Sequence, residues 1–219
     1  MSYINRKDAG NKLTEYLMDY KDIEKRILAI PNGGVPVGAQ VVRKIGGKMG
    51  LLIVRKLQIP YNPEAGFGSV SMDGTVIFNQ GLLRRIRLNR SQIDQVISKT
   101  KLDINDRMRY YDVDYSNFRE EIKGKMVIMV DDGLASGFTM IAGIKSVRNY
   151  EPKKIVVAVP TSPRSSFERV SEEKVEVICP RIEDTTYFAV ANAYKNWYDL
   201  NKEEVLEIIK DLKKEDLFF

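Results

Sequence analysis

The chain has 219 residues, of which 43% are hydrophobic and 30% charged, so it can bury a core and fits one domain with or without an insertion. It contains no histidine, which excludes Ser-His-Asp and Cys-His nucleophile systems and His-ligated zinc sites. The formal net charge of +5 suits an anionic partner, such as a phosphorylated metabolite, a nucleic acid or an acidic surface.

Cysteine usage and hydropathy bear on the compartment. The single cysteine, Cys179, excludes an internal disulfide and is typical of a reducing environment. No stretch reaches the run of about 18 apolar residues that a membrane span requires. The polar N-terminal segment lacks the apolar core of a signal peptide. We therefore expect a cytoplasmic protein without a membrane segment.

Five short apolar runs divide the sequence, at 27–30, 51–54, 127–130, 155–159 and 175–178. Four of them are rich in β-branched residues without strict alternation, which predicts buried strands. Helix-like segments follow the first, third and fourth runs, at 35–45, 139–150 and 163–172. This order predicts an α/β fold with a mostly parallel sheet flanked by helices. In such a sheet ligands bind beyond the carboxyl ends of the strands.

The interval 60–118 is too long for a simple connection, so we predict an inserted α+β subdomain or lid within a single domain covering 1–219. Its residues 68–79 alternate around an Asp-Gly pair, which predicts a β-hairpin. The segment 91–94 has the pattern of a capping box and predicts the start of a helix. The segment 201–204 predicts another helix start near the C-terminus.

The segment 127–139, VIMVDDGLASGFT, carries the strongest chemical signal. An apolar strand ends in Asp131 and Asp132, and small and hydroxyl residues lead into a helix. Small residues let a backbone approach a ligand closely, and free N–H groups at a helix N-terminus attract phosphate. The carboxylates suit sugar hydroxyls or a Mg²⁺ ion. The segment therefore predicts a sugar-phosphate site, against the simpler interpretation of solvated acids beside a flexible turn.

Two further groups follow predicted strands. Asn32, Gly33 and Gly34 combine conformational freedom with exposed amides before a helix, which suits a diphosphate, although alone they fit a plain turn equally well. Arg55 and Lys56 follow the second apolar run, where they would face the same cleft unless they form a surface basic pair.

VIMVDDGLASGFTM resembles the signature of the type I phosphoribosyltransferases over its whole length. LAIPNGGVPVGAQV resembles the pyrophosphate loop of that family, and LLIVRKLQIP resembles its second strand with a basic pair. Together with the tail YFAVANAYKNWYDL, they are similar to a group of predicted phosphoribosyltransferases of undefined substrate. The resemblance implies a type I phosphoribosyltransferase-like fold and a Mg²⁺-dependent enzyme. Its reaction would transfer the phosphoribosyl group of phosphoribosyl pyrophosphate (PRPP) to an unidentified nitrogenous acceptor and release pyrophosphate.

The resemblance also implies residue roles. Asp131 and Asp132 would be catalytic, holding the ribose hydroxyls and favouring the cationic sugar, with Mg²⁺ bound directly or through water. Pyrophosphate would contact Asn32, Gly33, Gly34, Arg55 and Lys56. The 5′-phosphate would contact Ala135, Ser136, Gly137, Phe138 and Thr139. Relatives usually have Arg at the position of Asn32, so this chain binds diphosphate more weakly or uses another cation.

The acceptor is defined less well. Ala135 stands where 6-oxopurine salvage relatives have Asp, which disfavours hypoxanthine and guanine and leaves adenine open. Tyr187 and Phe188 can stack on a flat base, although core packing or a dimer contact explains them as well. Trp197 and Tyr198 are expected to pack. We expect a homo-oligomer, most simply a dimer.

A cluster of arginines in the insert supports an alternative function. Arg84, Arg85, Arg87 and Arg90 fit either a solvated helix face or a nucleic-acid contact. Because some type I relatives are regulators, the alternative is a non-catalytic PRPP-sensing regulator that binds RNA or DNA. Glu64 stands where the family's mobile loop begins, and either contacts substrate or supports structure.

Overall fold

A central parallel sheet and a smaller antiparallel sheet organise the chain. The computed structural model describes residues 2–112, 115–185 and 187–219, with the side chains of 63 and 64 outside the description, so the expectation for Glu64 is not addressed. The described elements are, in chain order, α1 (Arg6–Glu15), β1 (Lys25–Ala29), α2 (Gly34–Ile45), β2 (Lys48–Leu51), β3 (Val54–Ile59), β4 (Asn62–Ser71), β5 (Val76–Phe78), α3 (Gln80–Leu83), α4 (Arg90–Tyr110), α5 (Phe118–Ile122), β6 (Met126–Val130), α6 (Phe138–Arg148), β7 (Lys154–Ala158), β8 (Thr161–Pro163), α7 (Arg164–Ser171), β9 (Glu176–Ile178), β10 (Arg181–Glu183) and α8 (Lys202–Lys214).

The central sheet has the order β2-β1-β6-β7-β9, and all its pairings are parallel. Alternate residues of β6 point into two cores: Ile128 packs in the core that includes α2 and α8, and Met129 in the one that includes α6. Helices therefore cover both faces of the sheet, which confirms the predicted α/β fold. The helices predicted at 35–45, 139–150 and 163–172 are α2, α6 and α7, shifted only at their ends.

The prediction that the apolar run 51–54 is one strand of the central sheet is wrong. The run is instead the junction between the central sheet and the antiparallel sheet. The N–H of Leu52 donates to Ala29 O in β1 (3.0 Å), whereas the N–H of Met72, just after β4, donates to Ile53 O (2.9 Å). The run is apolar throughout because its side chains alternate between two cores: Leu51 and Ile53 pack in the core that includes α2 and α8, and Leu52 and Val54 pack in the one that includes α6. The Arg55 and Lys56 positions therefore lie inside β3 of the antiparallel sheet.

Strands β3, β4 and β5 form that antiparallel sheet, and α4 packs on β3. The predicted hairpin at 68–79 is confirmed, with Gly74 at φ +87° in the turn. The antiparallel sheet and α4 overlap the insert proposed at 60–118. Because β3 pairs with β4, this unit also includes Val54–Ile59. At the other boundary, Phe118 is buried in the core of the central domain beside α6.

Two predicted helix starts have different outcomes. The capping box predicted at 91–94 is wrong, because α4 begins two residues earlier: Asn89 Oδ1 accepts from Gln92 N and Gln92 Oε1 accepts from Asn89 N, both at 2.9 Å. The start predicted at 201–204 is confirmed by the reciprocal pair of Asn201 and Glu204. Within the described ranges, no helix is both long and apolar enough to cross a membrane.

Candidate active site

A cleft of about 570 Å³ lies beyond the carboxyl ends of β1 and β6, walled by the two β–α connections, by β3 and by the tail before α8. This position is the one expected for a ligand of an open α/β sheet. The residues proposed from the sequence that line it are Asn32, Gly33, Arg55, Lys56, Asp131, Asp132, Ala135, Ser136, Gly137 and Thr139. The structure thus brings together three groups that are far apart in sequence.

Two adjacent carboxylates stand at the end of β6. The N–H of Asp132 donates to Asp131 Oδ1 (2.8 Å), and Asp132 Oδ2 accepts from Arg6 Nε (2.7 Å). Burial and the charge of Asp132 raise the pKa of Asp131 well above its usual value. Burial also raises the pKa of Asp132, and Arg6 opposes that rise. A cation or hydroxyl donors placed here would stabilise both carboxylates in their ionised form.

Arg6 is a site residue that the sequence did not reveal. Its Nη1 donates to Tyr198 O (2.8 Å), and its guanidinium lies 4.0 Å from the ring centroid of Trp197. The hydroxyl of Tyr194 donates to the main-chain oxygen of Asp132 (2.6 Å). The first helix and the tail therefore hold Asp132 in place together. Trp197 packs as expected, and it also lines the cleft.

The loop after the carboxylates presents free amides. Gly137 caps α6 at φ +81°, a left-handed conformation that favours glycine. For the N–H groups at 135–139, the described part of the chain provides no acceptor. Thr139 Oγ1 lies at the same loop, 3.4 Å from Ser69 Oγ. Unpaired amides at a helix N-terminus make this loop a site for an anion such as a phosphate.

The opposite side of the same loop is anchored to α7. Ser166 Oγ donates to Ala135 O (2.6 Å), and Arg169 Nη1 donates to Ser136 O (2.6 Å). Two carbonyls of the loop are therefore held by α7. Phe138 lies under the Arg169 guanidinium, 5.3 Å from ring centroid to Cζ, and is not among the cleft-lining residues.

The connection after β1 touches the carboxylates directly. A Cβ on Gly33 would collide with the Asp132 carboxylate, and one on Gly34 would lie 2.6 Å from Val130 O. Glycine is therefore required at both positions by the close approach of the two loops. The N–H of Gly34 donates to Ile30 O (3.0 Å), so of the two glycine amides we expect only that of Gly33 to reach a ligand.

Asn32 is the second site residue with partners that the sequence did not reveal. Its Oδ1 accepts from Arg107 Nη1 and from Tyr111 Oη, both at 3.1 Å, and its Nδ2 donates to Leu200 O (2.7 Å). Arg107 lies in α4, and Tyr111 is the residue that caps the C-terminal end of α4. The inserted unit therefore contacts the connection after β1. Burial and the nearby charge of Arg107 lower the pKa of Arg55.

Some expected residues lie elsewhere. Tyr187 is 90% exposed, and neither Tyr187 nor Phe188 is among the residues that line the cleft. Among the described residues there is no cluster of three or more His, Cys, Asp or Glu side chains fit to hold a metal on their own. Asp131 and Asp132 supply the oxygen ligands that Mg²⁺ prefers, and they fit an ion that also takes oxygens from a substrate.

Comparison with known proteins gives consistent matches. The family model of the phosphoribosyl transferase domain matches residues 4–197. Two Mycobacterium tuberculosis proteins, one from each of two strains and provisionally named phosphoribosyl transferases, are 30% identical to this chain over 205 residues. That alignment covers 94% of this chain and 46% of each relative, so the chain spans about half their length. A crystal structure of a Thermus thermophilus protein matches at 30% identity with a TM-score of 0.76, covering 96% of this chain and 99% of that one.

Proposed function

Because the chain belongs to the phosphoribosyl transferase domain family, we propose that it is an enzyme that transfers the phosphoribosyl group of PRPP to a nitrogenous acceptor, with Mg²⁺, and releases pyrophosphate. The observation that carries this proposal is the composition of the cleft. A loop with free amides, a carboxylate pair and two cations line one cavity of about 570 Å³, and PRPP contains a phosphate, a diol and a diphosphate.

The three groups suggest one orientation of the substrate. The 5′-phosphate binds the amides at 135–139 and the Thr139 hydroxyl, at the N-terminus of α6. The ribose hydroxyls donate to Asp131 and Asp132. The diphosphate then extends towards the Gly33 amide and the cations of β3, Arg55 and Lys56. Asp131 and Asp132 would hold Mg²⁺, directly or through water, and the ion would supply positive charge that stabilises the diphosphate.

The chemistry needs no histidine and no covalent intermediate. As the bond between C1 of the ribose and the diphosphate breaks, positive charge develops on the sugar and negative charge on the leaving group. Asp131 and Asp132 stabilise the positive charge, and Arg55 with Lys56 stabilises the negative charge. Asp132 is already held by Arg6, and Arg55 by Asp103, before a substrate binds. Arg6 orients the Asp132 carboxylate through the ion pair and favours its ionised form.

The acceptor is proposed to be nitrogenous, with a 6-oxopurine disfavoured by Ala135 and adenine left open. Aromatic stacking from Tyr187 and Phe188 would require the segment 187–188 to approach the cleft that it does not line. Trp197 already lines the cleft, with the Arg6 guanidinium 4.0 Å from its ring centroid.

The direct experiment is a panel of nucleobases incubated with PRPP and Mg²⁺ and scored for pyrophosphate release. One base that releases pyrophosphate with the wild-type chain, and not with the Asp132→Asn variant, would establish the activity. Binding of PRPP without release for any acceptor would contradict the enzyme and support a sensor.

The alternative is a non-catalytic PRPP-sensing regulator that binds RNA or DNA. The observation in its favour is that Arg84, Arg85, Arg87 and Arg90 are all exposed on the inserted unit. Contacts with phosphates release counterions, so nucleic-acid affinity should fall steeply with salt if this surface is used. A salt titration of RNA and DNA binding, with and without PRPP, separates this function from the enzyme.

A further inference from the structure

The side chain of Arg107, on the inserted helix α4, reaches a residue at the diphosphate end of the cleft. Its Nη1 donates to Asn32 Oδ1 (3.1 Å) and its Nε contacts Asp103 Oδ2 (3.2 Å). The Arg107 side chain is only 11% exposed. A guanidinium is costly to bury unless its donors are paired, and this one is paired at two different atoms.

Asp103 joins Arg107 to a cation of the cleft. The same Oδ2 atom accepts from Arg55 Nε at 2.8 Å. Two guanidinium groups thus share one carboxylate, which leaves one positive charge uncompensated within this group. The positive charge that Arg55 and Arg107 share therefore lies next to Asn32, which lines the cleft together with Arg55.

Arg107 itself is not among the residues that line the cleft. It can therefore act on a ligand only through its neighbours. Together with Tyr111 Oη, which donates to the same oxygen at 3.1 Å, Arg107 fixes which way the Asn32 amide points, and Asn32 Nδ2 donates to Leu200 O (2.7 Å). Asp103, which accepts from both arginines, holds the Arg55 guanidinium in place through its Nε.

We propose that Arg107 is a positioning residue for diphosphate recognition, which it exerts from the inserted helix through Asn32 and Arg55. This inference rests on the proposed function and gives the insert a role in it. The inserted unit would then contribute selectively to the binding of the diphosphate group, and not to the binding of the ribose phosphate.

The test compares three ligands by calorimetry: PRPP with Mg²⁺, inorganic pyrophosphate with Mg²⁺, and ribose 5-phosphate. We expect Arg107→Gln to weaken PRPP and pyrophosphate binding on the order of 10-fold, because displaced positioning groups lose contacts that depend on geometry. Ribose 5-phosphate, which lacks the diphosphate, should bind within about 2-fold of wild type. Arg107→Lys retains the positive charge but loses the planar donor geometry of the guanidinium. Its affinities for PRPP and pyrophosphate should therefore lie between those of wild type and those of Arg107→Gln.

The matched control is Arg109→Gln, on the same helix, where the side chain is 80% exposed and pairs with Asp106. It should leave all three affinities unchanged. Equal loss of ribose 5-phosphate binding in Arg107→Gln would show a merely structural role and overturn the inference, as would wild-type affinity for pyrophosphate. If Arg107→Gln does not fold, the same selectivity is required of Arg107→Lys. Wild-type chain that binds neither PRPP nor pyrophosphate would overturn the proposed function itself, whereas a wild-type chain that binds both isolates the role of Arg107.

Discussion

Arg6 Nε lies 2.7 Å from Asp132 Oδ2, and this ion pair joins the first helix of the chain to the acid at the end of β6. Both side chains are largely buried, with 8% and 13% exposure. The guanidinium also stacks on Trp197, so one residue links α1, the loop after β6 and the tail. A buried pair of this kind is costly to break from one side, because the remaining charge is left without a partner.

Replacing Arg6 should therefore destabilise the protein. We expect Arg6→Gln to lower the free energy of unfolding by about 3 kcal/mol, near the value for breaking a buried ion pair. Urea unfolding measures it. The control is Lys7→Gln at the neighbouring exposed position, which should change stability by less than about 0.5 kcal/mol. Equal stabilities of the two variants would show that the pair contributes nothing.

The close approach of the two loops can be tested at Gly33. Its φ of −61° is accessible to any residue, so Gly33→Ala acts through the added methyl group alone, which collides with the Asp132 carboxylate. We expect PRPP affinity to fall on the order of 10-fold or more, because a small displacement of a site residue has large effects.

Gly81→Ala is the matched control, since a Cβ there meets only Asn79 Oδ1 at 3.6 Å, an ordinary contact. PRPP affinities measured by calorimetry should separate the two variants. Retention of wild-type affinity in Gly33→Ala would mean that the carboxylate can move without consequence for binding.

We expect the ionised Asp131 carboxylate to lower the stability of the ligand-free folded protein at neutral pH. Its pKa in the folded protein is raised by burial and by Asp132, so its proton is bound more tightly in the folded than in the unfolded state. The stability that this protonated carboxyl provides is complete below the unfolded pKa and is lost as pH rises through the folded pKa. Without ligand or metal, Asp131→Asn should then be more stable than wild type at pH 7 by on the order of 1 kcal/mol.

Thermal unfolding across pH checks this sign. The advantage of Asp131→Asn should shrink towards pH 4, where the wild-type carboxyl is protonated in the folded state. The same variant should lose PRPP-dependent activity. A variant less stable than wild type at neutral pH would contradict the raised pKa of Asp131.

The parts of the site that the sequence predicted are those that directly follow an apolar run, since residues 32–33 and 55–56 line the cleft with residues of the segment 131–139. Asp131, Asp132 and residues 135–139 follow one another on a strand, a loop and a helix start, so their proximity needs no knowledge of the fold. Arg6 lies 126 positions from Asp132, and Arg107 lies 75 positions from Asn32, so only tertiary structure brings these pairs together. An isolated arginine in a polar stretch has no pattern that distinguishes it from a surface charge.

The fold shows the same division. The buried strands β1, β6 and β7 were predicted from runs of β-branched residues, because burial on both faces gives an unmistakable apolar segment. The run at 51–54 is apolar for the same reason, since its side chains alternate between the two cores, but its backbone hydrogen bonds divide it between two sheets. The composition of a segment reveals that its side chains are buried, but it does not reveal which sheet its backbone pairs with.

Binding of PRPP is the measurement that tests the central claim most directly. Thermal unfolding is followed with Mg²⁺ and increasing PRPP, and ribose 5-phosphate and Mg²⁺ alone serve as references. A ligand present at about 100 times its Kd stabilises the folded state by about 2.7 kcal/mol, so the melting temperature should rise with PRPP concentration, more than with ribose 5-phosphate. The rise should be absent in Asp132→Asn. No shift of the wild-type chain at millimolar PRPP and Mg²⁺ would contradict a phosphoribosyl site in this cleft.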